Sequence, residues 1–267
     1  MSSSVDTRAA ESYHAVLVPG LFGAWAEEAV GWAGITSGQH VLDVACGPGT
    51  ATEPAARRAG PKGSAIGIDI DAGMVAFASA RAEKHRDLRL EYRCGSAQEL
   101  PFPDRTFDAV LCLQGLQFFA DRAAALAEMR RVMKPNARIV ATVWRGLEHC
   151  VGNRVVIQAL ERRGIDCTPA YKPFSLDDQP LLRELFEKAG FREVQARIAT
   201  KAARFNSPAD FVEALARGGP STRHAIAKLR ADERPAFVAE ISAALEPWVA
   251  GSKLGFPMHS HVVTAQA

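Results

Sequence analysis

The stretch Val41-Leu42-Asp43-Val44-Ala45-Cys46-Gly47-Pro48-Gly49-Thr50 decides the fold. A short, mostly apolar run rich in valine reads as a buried strand. Two glycines one residue apart then let the backbone turn tightly before a helix. The same sentence recurs along the chain. Ala65-Ile66-Gly67-Ile68-Asp69 leads into a helix from about Asp71 to His85, with Met74, Val75 and Ala78 on one face. Leu88–Cys94, Phe107–Leu113 and Ala137–Val143 follow as further strands, with amphipathic segments between them. Strands alternating with helical patterns are βα units, and βα units build a parallel sheet. Between the last two strands, Asp121 is placed to cap a helix carrying Leu126, Met129, Val132 and Met133, and Asn136 can take the left-handed turn that ends it.

After Trp144 the alternation breaks. Residues 146–178 read as a helix plus an irregular stretch, Pro180–Ala189 as a helix closed by Gly190, and Phe191–Phe205 as a strand. Ser207-Pro208-Ala209-Asp210 is a helix start, with a serine cap, a proline in the first turn and an acid three residues on. Helices fit Arg223–Arg230 and Glu233–Leu245, and Met258–Thr264 alternates like a strand. Two late strands separated by helices suggest a hairpin whose loop has grown into a cap.

Composition narrows the function. With 32 basic and 30 acidic residues the net charge is +2, and no basic run tracks a phosphate backbone, so nucleic acid is not an expected partner. The cysteines Cys46, Cys94, Cys112, Cys150 and Cys167 form no CxxC pair and no zinc-ligand spacing. They read as buried or half-buried reduced thiols, and no metal is expected. No apolar stretch approaches the ~20 residues that cross a bilayer. Met1-Ser-Ser-Ser-Val-Asp6 lacks the basic-then-apolar order of a signal peptide, which leads to the expectation of a soluble cytoplasmic protein.

In an open α/β sheet, ligands bind at the carboxyl ends of the strands. There, Gly47 and Gly49 allow close approach, and Asp69 can accept both hydroxyls of a ribose. Nicotinamide dinucleotides and S-adenosylmethionine both answer that description. A dinucleotide fingerprint wants a third glycine where Thr52 stands, and Asp43 would repel a pyrophosphate. S-adenosylmethionine has no phosphate, and its ammonium and sulfonium groups suit an acid, so the residues favour it.

The chain resembles the class I S-adenosylmethionine-dependent methyltransferases of the small-molecule type that includes the ubiquinone/menaquinone methyltransferases. The resemblance is carried by 41–50, by Gly67-Ile68-Asp69-Ile70-Asp71-Ala72-Gly73-Met74, by Gly95-Ser96-Ala97-Gln98-Glu99-Leu100-Pro101-Phe102-Pro103-Asp104, by Phe107-Asp108-Ala109-Val110 and by Glu128–Pro135. It implies a Rossmann-like, doubly wound, mostly parallel seven-stranded sheet with an antiparallel last strand and helical cap insertions. Residues 1–38 would be an N-terminal helical lid, 39–145 the cofactor-binding core, and 146–267 the rest of the sheet with substrate caps at about 146–178 and 206–250.

The resemblance also implies roles. Ala45, Cys46, Gly47 and Gly49 would hold the methionine part of the cofactor, Asp69 its ribose, and Ile70 and Met74 its adenine. Ser96 stands where the family usually places an aspartate, so adenine anchoring would lean on Ala97 and Gln98. Leu113 would offer its carbonyl to the ammonium. Tyr13, Phe22 and Trp25, from the segment before the sheet, could shield the sulfonium by cation–π attraction. On the substrate side stand Tyr13, Gln114, Gln117 and His149, with His149 the candidate base and Gln117 facing the methyl group. The reading is an enzyme that moves a methyl group to O, N or C of a small, partly apolar molecule by in-line displacement. A quinone-type C-methyltransferase and a non-catalytic S-adenosylmethionine-binding protein are its alternatives.

Overall fold

The computed structural model describes residues 5–267; Met1–Ser4, part of the leader and lid readings above, lie outside the described residues. Its sheet comprises β1 (His40–Val44), β2 (Ser64–Asp69), β3 (Leu90–Cys94), β4 (Phe107–Leu113), β5 (Met133–Trp144), β6 (Arg192–Phe205), β7 (Val249–Ala250) and β8 (Lys253–Gln266). The strand order is β3-β2-β1-β4-β5-β8-β6, with β7 paired to β8. Strands β1 to β5 pair in parallel, while β8 runs antiparallel to both β5 and β6. This is the expected doubly wound sheet with its antiparallel last strand. The two-residue β7 makes eight strands rather than seven, because it pairs with Leu254 and Lys253 at the start of β8.

Period-two alternation splits the strands between two cores. Val41, Ala65, Ala109, Leu111 and Val140 face one side with Leu17, Trp25 and Ala55. Leu42, Val44, Ile68, Val110 and Ile139 face the other with Leu126, Met129 and Phe186. Burial on both faces explains why these strands read as apolar runs.

Local signals act where the sequence puts them. Asp71 accepts from the N–H groups of Gly73 and Met74, Asp121 from Ala124 and Ser207 from Asp210. Asn136 does turn at φ +65°, but it does not end the helix: the helix stops at Val132, Met133 already begins β5, and the turn falls in an irregular stretch of that strand. The helix at Arg223 is shorter than its pattern and ends at Ile226. Cys94 is exposed, while the other four thiols are buried and all five are free.

The segment before the sheet departs from an ordinary amphipathic helix. After one α turn (Arg8–Ser12) it becomes a π-helix, Tyr13–Phe22, and then an α-helix, Gly23–Ala33. The widened i→i+5 coil is rare at this length and concentrates at functional sites. Here it turns Tyr13, Leu17, Leu21 and Phe22 toward one cavity. On the far side, β6 and β8 are joined through the helices Pro208–Gly218, Arg223–Ile226 and Arg234–Ala244. Phe205, Phe211 and Phe256 lock that cap to the hairpin, with ring centroids 5.0 and 5.1 Å apart. Among the described residues, no helix is long and apolar enough to cross a membrane.

Candidate functional site

Strand order reverses between β1 and β4, and their carboxyl ends open onto a cavity of about 470 Å³. Two non-glycine residues there have left-handed backbones, Ala45 at φ +59° and Gln114 at φ +56°. Each costs about 1–3 kcal/mol, a strain that collects at ligand sites. Gly49 has φ +83°, and a Cβ on it would overlap the Tyr92 hydroxyl and sit 2.7 Å from ring carbon Cζ. The second glycine of the motif therefore makes room for β3 and lines neither the cavity nor the recess beside it.

Asp69 organises the turn. Its Oδ2 accepts from the Gly47 N–H at 2.8 Å and its Oδ1 from the Asp71 N–H at 2.9 Å. Each oxygen keeps a lone pair for a further donor. Burial raises its pKa, against the lowering effect of those N–H groups. Ile70, Met74, Ser96, Ala97 and Gln98 continue the wall beyond it, and Ile70 is 78% exposed, leaving a flat apolar surface open. The Gln98 side chain accepts from the Asp121 N–H at 3.1 Å.

A smaller recess of about 50 Å³ adjoins the cavity, bordered by Trp25, Asp43, Cys46, Thr50 and Leu113 among others. Trp25 Nε1 and Thr50 Oγ1 are buried there without a hydrogen-bond partner. Unpaired buried donors are costly unless a ligand completes them. Asp43 is 2% exposed and accepts from Thr52 Oγ1 at 2.6 Å. Burial pushes its carboxyl up to about 7. Burial also holds the Cys46 thiol well above its ordinary pKa, so it is no nucleophile. Two donors suited to a carboxylate, an acid suited to an ammonium, and Asp69 suited to a ribose together fit S-adenosylmethionine.

A raised carboxyl gives a pH signature. The stability it contributes is full below about pH 4 and is lost as pH rises to about 7. Asp43→Asn keeps the shape without the charge. Thermal melts of the two proteins should lie closest together at about pH 3.5, below the unfolded carboxyl's pKa, with the variant melting progressively higher as pH rises to about 8; an equal offset at both would contradict the assignment.

The acceptor side contains residues no motif announced. Trp144 ends β5, and with Leu17, Phe118, Phe174, Leu215 and Met258 it lines the far wall. Phe22 lies 5.0 Å from Tyr13 in a stack and 5.9 Å from Trp144. Trp25, expected over the sulfonium, packs its edge on Trp144 at 5.6 Å and borders only the recess. Gln114 lines both spaces. Gln117 does not: it is fully buried, and its Nε2 donates to Gln114 Oε1 at 3.2 Å while Gln114 Nε2 donates to Ser260 Oγ at 3.1 Å. Gln117 thus fixes its neighbour instead of facing the methyl group.

His149 is also displaced from its expected place. It lies in the turn Leu147–His149, and its Nε2 is 3.5 Å from Glu148 and 4.0 Å from Asp177. It is absent from the cavity wall. The chain after β5 turns away at Gly146, where Glu148 and Asp177 converge and leave no space for a side chain. His149→Ala should therefore leave turnover within about twofold; a loss of two orders of magnitude would return it to the chemistry.

Comparison with known proteins agrees with this geometry. The methyltransferase domain family matches residues 41–136. The chain is 32% identical over 213 residues to a demethylmenaquinone methyltransferase of Symbiobacterium thermophilum, covering 71% of this chain and 84% of that one. It is also 32% identical to the ubiquinone/menaquinone biosynthesis C-methyltransferase UbiE of Cupriavidus taiwanensis, covering 66% and 76%. Among solved structures, the 4+2 cyclase SpnF superposes with a TM-score of 0.57 at 26% identity, over 92% of this chain and 80% of that one. A fold wound about β1 and β4, a site that fits the methyl donor, and relatives spanned over most of their length place this chain in the family of S-adenosylmethionine-dependent methyltransferases related to the ubiquinone/menaquinone enzymes.

Proposed function

We propose that this methyltransferase acts on a mainly apolar ring compound of the quinol type. One observation carries the reading: among the described residues, the acceptor half of the cavity is walled mainly by aromatic and aliphatic side chains, joined by neutral polar groups such as Gln114 and Asn153, and holds no Lys, Arg, His, Asp or Glu. An acceptor carrying a phosphate or ammonium group would lose its hydration with no charged side chain to replace it. The relatives' names, demethylmenaquinone methyltransferase and ubiquinone/menaquinone C-methyltransferase, support a quinol ring.

In this reading Ala45, Gly47 and Leu113 hold the methionine end, with Cys46 and Trp25 closing the recess around it. Asp69 holds the ribose, and Ile70, Met74, Ser96, Ala97 and Gln98 hold the adenine. The bound donor supplies an already activated methyl group. The protein then positions and desolvates the acceptor. Tyr13, Phe22 and Trp144 present ring faces where the positive sulfur would lie, and Gln114, fixed by Gln117 and Ser260, borders both substrates. The chain would divide into a lid (1–38), a core (39–145) and a covering remainder (146–267), working in the cytoplasm on a small molecule and not on nucleic acid.

The test is a paired turnover assay with 2-methyl-1,4-naphthohydroquinone and, as a charged control, phosphoethanolamine. Methylation of the first alone supports the reading, and preference for the second overturns it. A second reading, a 4+2 cyclisation in the same apolar cavity, draws on the likeness to SpnF. It predicts product without consumption of the methyl donor.

A further inference from the structure

The acceptor half of the cavity poses a proton problem. A hydroxyl or ring carbon that takes a methyl group must lose a proton, yet His149 lies outside and Asp69 and Asp71 sit at the ribose end. Tyr13 is the remaining ionisable side chain on that wall, and burial, followed by Asp69, drives its pKa upward, so it stays a neutral phenol. Neutral hydrogen-bonding groups do reach the space. Asn153 is the long one on the helix Val151–Glu161; it is half-buried, lines the cavity, and its carboxamide has no protein partner among the described residues. The helix comes this close because Gly152 meets the hairpin and cap: a Cβ there would lie 2.7 Å from Phe256 Cε2 and 3.0 Å from Phe211 Cζ.

We propose that the acceptor binds as its own oxyanion, a phenol or enol acidic enough to ionise without a protein base, and that Asn153 Nδ2 donates a hydrogen bond to that oxygen. The inference rests on the cavity being the methyl-acceptor site. An anion entering this apolar space loses its hydration, and two things compensate: the positive charge of the methyl donor and the Asn153 amide. At low dielectric that attraction is strong. Transfer then annihilates the two charges, a reaction that an apolar surrounding favours over water. The acceptor's O–H proton has already gone to bulk water. Its nucleophilic oxygen or ring carbon forms a bond to the methyl carbon as the methyl–sulfur bond breaks, and the electron pair stays on sulfur as a neutral thioether. Where carbon attacks, the hydrogen it carried leaves to water and the ring regains aromaticity.

The proposal predicts that acceptor ionisation depends on the charge of the donor, which is read by absorbance without turnover. 4-Nitro-1-naphthol, whose anion is coloured, is titrated with pH on the protein saturated either with S-adenosylhomocysteine, which is neutral at sulfur, or with sinefungin, which carries an amine there. The bound probe should ionise about one pH unit or more lower with sinefungin, a tenfold change in its ionisation equilibrium. Asn153→Leu should weaken binding of the ionised probe about tenfold, and Asn153→Asp at least as much, with S-adenosylhomocysteine binding by calorimetry unchanged in both. A probe that stays neutral in both complexes, or fails to bind a protein that binds S-adenosylhomocysteine, overturns the proposal. Failure to bind S-adenosylhomocysteine at all overturns the underlying assignment of the site instead.

Discussion

Asp69→Ala is expected to weaken S-adenosylhomocysteine binding by about a hundredfold or more, measured by calorimetry. The carboxylate is positioned by the Gly47 and Asp71 N–H groups, so its free lone pairs meet the ribose hydroxyls without reorganisation. A hydrogen bond to a charged group contributes about 1.5–3 kcal/mol, and two of them give about 3 kcal/mol or more, where 1.4 kcal/mol is tenfold. The substitution also releases the Gly47 N–H and loosens the turn. Asp69→Asn keeps one acceptor oxygen and should fall between the two. An unchanged affinity in Asp69→Ala would mean that the ribose lies elsewhere.

Gly49→Ala should be strongly destabilising. The left-handed φ of +83° costs an alanine about 1–2 kcal/mol, and overlap with the Tyr92 ring adds about 1–3 kcal/mol. At about 2–4 °C per kcal/mol for a chain of this size, the melting temperature should drop by roughly 5–15 °C. Pairing it with Tyr92→Ala removes the overlap and leaves the backbone cost, so the double variant should lose less than the two single losses added. Strict additivity would show that Tyr92 is not what Gly49 accommodates.

These two residues mark what the sequence reveals and what it hides. Asp69 is legible because its position depends on local order: a strand, its last residue, and a capped helix after it. The same local logic makes Asp121 and Ser207 readable as caps, whereas Asn136 keeps its left-handed turn but inside β5 and not at a helix end. Gly49 is readable as a turn glycine, but its partner Tyr92 is not, since nothing local pairs it with a ring on another strand. The π-helix Tyr13–Phe22 is also invisible, because its wider coil is set by packing on the sheet and cap and leaves no periodicity of its own.

The acceptor wall was the least legible part. Leu17, Trp144, Phe174, Leu215 and Met258 come from five separated elements, and each alone reads as core. His149 shows the converse error. It follows a strand whose carboxyl end does face the site, but the turn at Gly146 carries it outward to Glu148 and Asp177. Sequence distance from a strand end says little once the chain has reversed direction.

The most direct test of the account follows the methyl group itself. The protein is incubated with S-adenosylmethionine labelled in its methyl carbon and with 2-methyl-1,4-naphthohydroquinone, and the products are analysed by mass spectrometry. One labelled methyl group is expected on the acceptor for each S-adenosylhomocysteine released, with the rate at subsaturating donor falling about a hundredfold in Asp69→Ala. Saturation by both ligands without any transfer of label would contradict it.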